Sequence, residues 1–406
     1  MASARHVIVA GAGIAGLTTA LALARAGLRT TLLEQAAKLE ETGAGIQLGP
    51  NATRVLIALG LREQLASSVM TPQAIRVMAG GSAREIVRIP LGSETERRYG
   101  SPYWTIHRGD LQSALAAAAQ ATPDIALKLG ARVEDFATHT NGITVRARSD
   151  GRGLEEHGLA LIGADGVWST LRAQIQGRQQ PPRFRHRTAW RTLVPANAVP
   201  EEFRQPLVHL WLGQDAHLVH YPVKGGRLIN IVGIVHDEWK EIGWSAAGNR
   251  AEILRHFARW SWAEPARALI AIPDQWLKWA LYDHKAPFRG GRGPVTLIGD
   301  AAHPMLPFLA QGAGMAIEDA AVIAAMLAKY RNDPADALRA YEGARWHRTA
   351  RAQQVSRKQG RIYGLSGPEA LVRNLALRAM GGEKLLSRFD WLYSWRPPET
   401  FLGERA

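Results

Sequence analysis

Cysteine is absent from all 406 residues, which removes structural disulfides, thiolate-bound zinc, iron–sulfur clusters and thiol catalysis. The absence accords with a cytoplasmic protein. Acidic residues are in deficit as well: 36 Asp and Glu stand against 50 Lys and Arg, a formal charge of +14. Yet the bases are scattered, and no helix-turn-helix, zinc-finger or RNP-like motif accompanies them. Nucleic acid is therefore not the expected partner, and a small anion is. Retention on DNA at physiological salt would mark the rival reading, a nucleotide-sensing or nucleic-acid-binding protein. Long apolar runs are almost missing. Val7 to Ala24 is uncharged and could pass for a signal peptide or membrane span, but three regularly spaced glycines and a matched second strand account for it. No membrane association is expected. The side chains offer no organic redox chemistry of their own, so any electron transfer needs a bound cofactor.

What is there begins at once. His6-Val7-Ile8-Val9-Ala10-Gly11-Ala12-Gly13-Ile14-Ala15-Gly16-Leu17 runs into an alanine-rich helix and then into Thr30-Thr31-Leu32-Leu33-Glu34. This is a complete dinucleotide-binding unit. Gly11 makes the tight turn, Gly13 lets backbone approach a pyrophosphate, and Gly16 lets helix pack on strand. The helix start offers bare N–H groups and a positive dipole end to phosphate. Glu34 sits where a ribose diol would be held. On its own the unit leaves FAD and NAD equally open.

At 46% hydrophobic content the chain can fill two cores. Residues 51 to 69 read as a helix with Asn51 as a possible N-cap, and 72 to 99 alternate like exposed antiparallel strands. Asp110 to Ala121 reads as a helix, 125–137 and 141–147 as strands. Leu159 to Gly166 and Val295 to Asp300 return to buried strands ending in glycine turns. Between about 183 and 290 short strands and tryptophans dominate, suggesting a mainly β module with helical insertions. A helix is expected from about 312 to 330, and 335 to 406 read as helical.

Two further segments carry chemistry. Gly163-Ala164-Asp165-Gly166 places an acid after a buried strand, either as a helix-capping turn or as part of a nucleotide site. Gly299-Asp300-Ala301-Ala302-His303-Pro304-Met305-Leu306-Pro307-Phe308-Leu309-Ala310-Gln311-Gly312-Ala313-Gly314 ends a strand in an acid suited to a polyol hydroxyl. Its second glycine turn opens a helix able to stabilise negative charge on a reduced flavin. In this order and spacing, with Gly43 to Ala52, His107-Arg108-Gly109-Asp110-Leu111 and Trp279 to Asp283, the chain resembles the class A FAD-dependent aromatic monooxygenases. Within that class it is most similar to the salicylate, 3-hydroxybenzoate and 6-hydroxynicotinate hydroxylases.

The resemblance implies an α/β fold: a Rossmann-like FAD-binding domain (1–71, 100–182 and 291–365) interrupted by a mainly β substrate domain (72–99 and 183–290), with C-terminal helices (366–406). It implies that Gly11, Gly13, Ala15 and Gly16 hold the FAD pyrophosphate and Glu34 the adenosine ribose. Arg108 would contact the phosphate–ribityl region, Val133 the adenine side, and Asp300 the ribityl or pyrophosphate end. Gly312, Ala313 and Gly314 would lie at the flavin, and Asp165 would serve FAD and NAD(P)H jointly. His303 is expected to anchor its own loop.

His217-Leu218-Val219-His220-Tyr221 narrows the substrate. In a strand His217, Val219 and Tyr221 share one face, either as an ordinary amphipathic strand with a buried histidine or as a catalytic face. The resembling hydroxylases put a histidine and a tyrosine at this spacing, aimed at the substrate's phenolic oxygen. A neutral imidazole can take that proton, which makes the ring carbon a better nucleophile. Gln47 and Pro307 are expected as substrate neighbours, and Arg187 and Arg191 as candidate partners for a ring carboxylate. The implied reaction is hydroxylation of an aromatic or N-heteroaromatic hydroxy acid through a flavin C4a-hydroperoxide, consuming O₂ and NADH (or NADPH) as a transient co-substrate. No metal is expected. The rival within enzymes is a same-fold epoxidase or oxidase acting on an apolar polycyclic or quinone-like substrate.

Overall fold

The computed structural model describes residues 5–39, 43–149, 151–258 and 261–402. Its first layer is a parallel five-stranded sheet in the order Val295–Leu297, Ala160–Gly163, His6–Ala10, Arg29–Leu33, Ile125–Lys128. The outer faces of these strands are sealed, so they read as continuous apolar runs rather than alternating ones. Helices Ile14–Arg25, Arg108–Gln120 and Gly312–Lys329 pack on one face around Leu17, Leu32, Leu115 and Ile317. A three-stranded antiparallel sheet, Ala131–His139, Gly142–Ser149 and Arg152–Gly158, covers the other.

The second layer is an eight-stranded sheet in the order Ser245–Asn249, Gln275–Asp283, Arg183–Pro195, Leu228–His236, Ala216–Val223, Leu207–Gly213, Ala74–Ala79, Glu85–Pro90. It is antiparallel except where Leu207–Gly213 runs parallel to Ala74–Ala79. Helices Arg250–Ala258 and Glu264–Ala271 cover its outer face through Trp190, Ile231 and Phe257. Its inner face looks toward the first layer and the C-terminal helices. The fold is thus the expected α/β one, with a large mainly β sheet and a helical C-terminus.

Several local readings change. The helix expected over 51–69 is two, Pro50–Ala58 and Arg62–Leu65, broken where Gly60 adopts φ +83°. Its cap is Gly49, so Asn51 lies inside the first turn with its side chain free for other work. The strand expected over 125–137 is divided by Gly130 at φ +68° between two different sheets. Residues 72–99 form one hairpin followed by the helix Ser93–Tyr99. The apolar side of that hairpin faces the interior, not solvent.

On the outer face His209 and His220 stack with ring centroids 4.4 Å apart and planes within 7°. Both are fully buried, and neither ring nitrogen of His220 has a partner. Burial, with Arg76 adding to it, pulls His209 down to about 4; burial and its neighbour push His220 well below the ordinary value. From about pH 6.5 down to pH 4 the unfolded chain therefore takes up protons that the folded chain refuses. Stability is full above that window and lost as pH falls through it, by about 2 kcal/mol at pH 5 for His209 alone. The urea midpoint should drop between pH 7.5 and pH 5, and replacing the pair with phenylalanine should flatten the slope. A wild-type midpoint unchanged over that range would contradict this account.

Candidate active site

The fingerprint turn shows why its glycines are needed. Gly11 has φ +104°, and a Cβ there would stand 2.5 Å from the Ala164 carbonyl oxygen. A Cβ on Gly16 would collide with the Gly11 carbonyl, whereas one on Gly13 would meet nothing within 4 Å. Gly13 therefore faces open space at the head of the helix Ile14–Arg25, whose first N–H groups have no side-chain cap. Glu34 accepts hydrogen bonds from the Ala12 N–H at 2.7 Å and the Ala36 N–H at 2.9 Å, which pins the acid against the turn. The Ala131 N–H donates to the Glu34 carbonyl, which ties the start of the strand Ala131–His139, with Val133 two residues on, to the Glu34 end of the turn.

Farther along the cleft Asp300, Arg108 and Gly312 come together. A Cβ on Gly312 would lie 3.9 Å from Asp300 Oδ1, and the Arg108 stem rests on Gly43. Asp300 makes no hydrogen bond to another described residue and is reachable by water. Protein nevertheless surrounds it closely enough that lost hydration raises its carboxyl, with His303 and Arg108 pulling the other way. An acid and a base that feel each other's charge without a hydrogen bond between them are suited to a polyol and its phosphates. Gly299 packs on Ala15, so the two glycine turns meet. The helix Gly312–Lys329, carrying Ala313 and Gly314 in its first turn, also begins without a side-chain cap. These open donors, the glycine approach and the unpaired Asp300 and Arg108 fit an FAD.

Asp165 is placed differently. Its Oδ2 accepts from the Leu171 N–H at 3.2 Å, while its Oδ1 is buried without a partner. The carboxylate is thus turned into its own loop, at the head of the helix Thr170–Gln176.

A cluster not foreseen from the pattern anchors the Gly299 turn and the loop at Gln311. Arg345 Nε donates to Asp319 Oδ1 at 2.7 Å and its Nη1 to Glu318 Oε2 at 2.6 Å. The other Asp319 oxygen accepts from the Gly299 N–H at 2.9 Å and sits 2.5 Å from His303 Nε2. The other Glu318 oxygen takes Asn51 Nδ2 at 2.6 Å, and the same amide reaches Gln311 Oε1 at 3.0 Å. Burial works to raise the Asp319 carboxyl, but His303 and Arg345 outweigh it and hold it below the usual range. His303 anchors its loop, as expected.

Next to the cleft lies a chamber of about 1060 Å³. The inner sheet face lines one side with Ile75, Val77, Leu210, Leu212, His217 and Val219; Gln47 and Pro307 to Ala310 close a second side. The C-terminal helices supply the rest, including Tyr363, Leu377, Phe389 and Tyr393. His217 leans on the Phe308 and Tyr363 rings at 5.4 and 5.2 Å. Burial first and the Arg187 cation second pull its imidazole down to about 3, so it stands neutral. Tyr221 lies beside Gln47, whose Oε1 accepts from the Tyr103 hydroxyl at 2.8 Å. Burial pushes the Tyr221 phenol well above its ordinary value, which keeps it a neutral donor. Gly45 passes over Tyr221 and Asn230 so closely that a Cβ would stand 2.7 Å from the tyrosine ring.

His217 and Tyr221 do share a face, but four residues of strand separate their Cα atoms by about 13 Å. Arg187 is committed to the Asp215 carbonyl at 2.6 Å, and Arg191 does not line the chamber. Tyr103, Tyr363 and Tyr393 escaped the sequence reading because no local pattern marks them. Only a fold that brings residues 103, 363 and 393 together reveals them.

The chain matches the FAD binding domain family over residues 4–358. It is 37% identical over 389 residues to 3-hydroxybenzoate 6-hydroxylase of Polaromonas naphthalenivorans, covering 96% of each chain. It is also 37% identical over 392 residues to the 3-amino-4-hydroxybenzoate 2-monooxygenase PtmB3 of Streptomyces platensis, 96% of each. Among solved structures, Klebsiella pneumoniae HpxO complexed with FAD and uric acid superposes with a TM-score of 0.83 at 26% identity, covering 95% of both chains.

Proposed function

Because the chain belongs to the FAD-binding family of flavoprotein monooxygenases acting on aromatic compounds, we propose that it hydroxylates an aromatic hydroxy acid at the expense of O₂ and NADH or NADPH. The observation carrying this reading is His217, neutral on the chamber wall, with Tyr221 four residues along the same strand face beside Gln47, which with Tyr103 lines the chamber. Two hydrogen bonds of about 2.8 Å with a hydroxybenzoate between them span about 12 Å, which side chains on Cα atoms about 13 Å apart can reach. The phenol would lie at His217 and the carboxylate at the Tyr221–Gln47–Tyr103 end.

In this reading residues 72–99 and 183–290 form the substrate part, and 1–71, 100–182 and 291–365 carry the FAD. Gly11, Gly13, Ala15 and Gly16 hold its pyrophosphate, Glu34 the ribose, Val133 the adenine side, and Arg108 and Asp300 the ribityl stretch. The bound flavin supplies the redox chemistry, accepting electrons and activating O₂. The chain's own residues position the ring and keep water out. His217 accepts the phenol's hydrogen bond as a neutral imidazole. An imidazole held near 3 is a weak base, but a phenolate forming beside it raises that value by opposite charge. Gly312, Ala313 and Gly314 present helix N–H groups to negative charge on the flavin.

The purified protein should be yellow, absorb near ~450 nm, and oxidise NADH faster when a hydroxybenzoate or hydroxypyridine carboxylate is added, with a hydroxylated product. A colourless protein that cannot be reconstituted with FAD would sink the reading. The chamber is lined largely by apolar side chains such as Ile75, Val77, Leu210, Leu212 and Leu377, which favours a second reading: an apolar polycyclic or quinone-like substrate. Stimulation by such compounds alone would select it.

A further inference from the structure

Arg191 is a cation without an anion. It lies on the inner face of the strand Arg183–Pro195, and no described carboxylate or carbonyl takes a hydrogen bond from it; its Nε is buried without a partner. Its guanidinium carbon rests 4.3 Å from the centre of the Trp279 ring. Burial pulls it down to about 10, Tyr221 pulls the other way, and the Arg108 cation adds to the depression. A desolvated guanidinium of this kind is costly until an anion arrives.

The surroundings say which anion. Trp279 packs at 5.6 Å on Trp244, which is 42% exposed, and Leu277 beside it is 40% exposed. Strand register aligns Trp279 with Ala189, Ile234 and His217, three strand spacings or about 14 Å from the catalytic histidine. Arg191 itself does not line the chamber, although it feels Tyr221. The charged neighbour on the cleft side is Arg108, so the shelf opens beside the cofactor, on the side away from the chamber. Flat indoles next to an unpaired guanidinium suit a ligand that combines a planar ring with a diphosphate. The chain has one glycine fingerprint, already assigned to FAD, so a second dinucleotide has no such unit to use.

We propose that Trp279, Arg191 and Trp244 form the docking shelf of the nicotinamide coenzyme, with Arg191 on its diphosphate and the indoles under a ring. This rests on the reading of the protein as an NAD(P)H-consuming enzyme. The test uses holoenzyme carrying Arg191→Gln or, separately, Trp279→Leu. Calorimetric binding of NAD⁺ and the NADH concentration giving half-maximal anaerobic bleaching of the flavin should both weaken by about tenfold or more. Retained FAD and the dissociation constant for 3-hydroxybenzoate should not move, and Arg191→Lys should recover part of the loss. The salt dependence of NADH binding should flatten in Arg191→Gln. A change confined to the aromatic acid would assign Arg191 to the substrate and overturn the proposal. A change confined to FAD retention would assign it to the cofactor, with the same result, as would no change at all. If neither NADH nor NADPH bleaches the wild-type flavin while dithionite does, the coenzyme reading itself fails before any variant is made.

Discussion

Replacing His217 with alanine should lower hydroxylation by about 10²–10⁴-fold while FAD content stays at the wild-type level. NADH oxidation should continue with its electrons diverted to hydrogen peroxide. The reasoning is geometric. His217 stands neutral on the chamber wall, framed by Phe308 and Tyr363, and makes no hydrogen bond to any described residue. Its polar edge is thus available to the ring's hydroxyl. It touches none of the groups placed at the cofactor, so its loss should not release FAD. Tyr221→Phe should behave differently, because that hydroxyl sits at the carboxylate end. Its main effect should be a raised KM for the acid, with a smaller fall in kcat. The measurement is the ratio of product to NADH consumed, alongside flavin absorbance. If both variants hydroxylate with wild-type coupling, this placement is wrong and the phenol is activated elsewhere.

The second large effect concerns stability. Arg345 is 3% exposed and is the only one of its cluster's two arginines that touches both Glu318 and Asp319, each fully buried. Arg345→Leu leaves two carboxylates in the interior with much of their compensation gone. Breaking a buried pair from one side costs about 3–5 kcal/mol, a large share of the about 5–15 kcal/mol that holds a domain together. The variant should show a markedly lower urea midpoint. It should also retain less FAD, because Asp319 steadies the Gly299 turn and Glu318 holds Asn51 beside Gln311. Arg348→Leu removes a more exposed partner of Glu318 and should cost less. An Arg345→Leu protein with a wild-type midpoint and full FAD content would show that the charges are balanced by other means.

What could be read from the residues alone follows a physical rule. The fingerprint turn was legible because its demands fall on residue type: a positive φ at Gly11 and a close approach at Gly16 admit little besides glycine. The shared face of His217 and Tyr221 was legible from the two-residue period of a strand. The same period sets their spacing, four residues or about 13 Å between Cα atoms. Asn51 was misplaced as a cap because the helix starts at Pro50, and what the amide serves lies 260 and 267 residues away in the chain. Arg345 sits in a thirty-residue helix rich in arginine, and nothing local distinguishes the one that turns inward. The tyrosines of the chamber belong to three distant segments. Long-range convergence leaves no local trace.

The chamber wall has one more consequence. The match to the shared FAD-binding family ends at residue 358, yet Tyr363, Leu377, Phe389 and Tyr393, which enclose the chamber, all come after it. The apparatus for holding the flavin and the panel that shapes the guest are consecutive in the chain but separable. Lineages could exchange the tail and acquire new guests while the inherited engine stays untouched. A chimaera that trades the segment after residue 358 between two such hydroxylases is the smallest unit in which that exchange could be made.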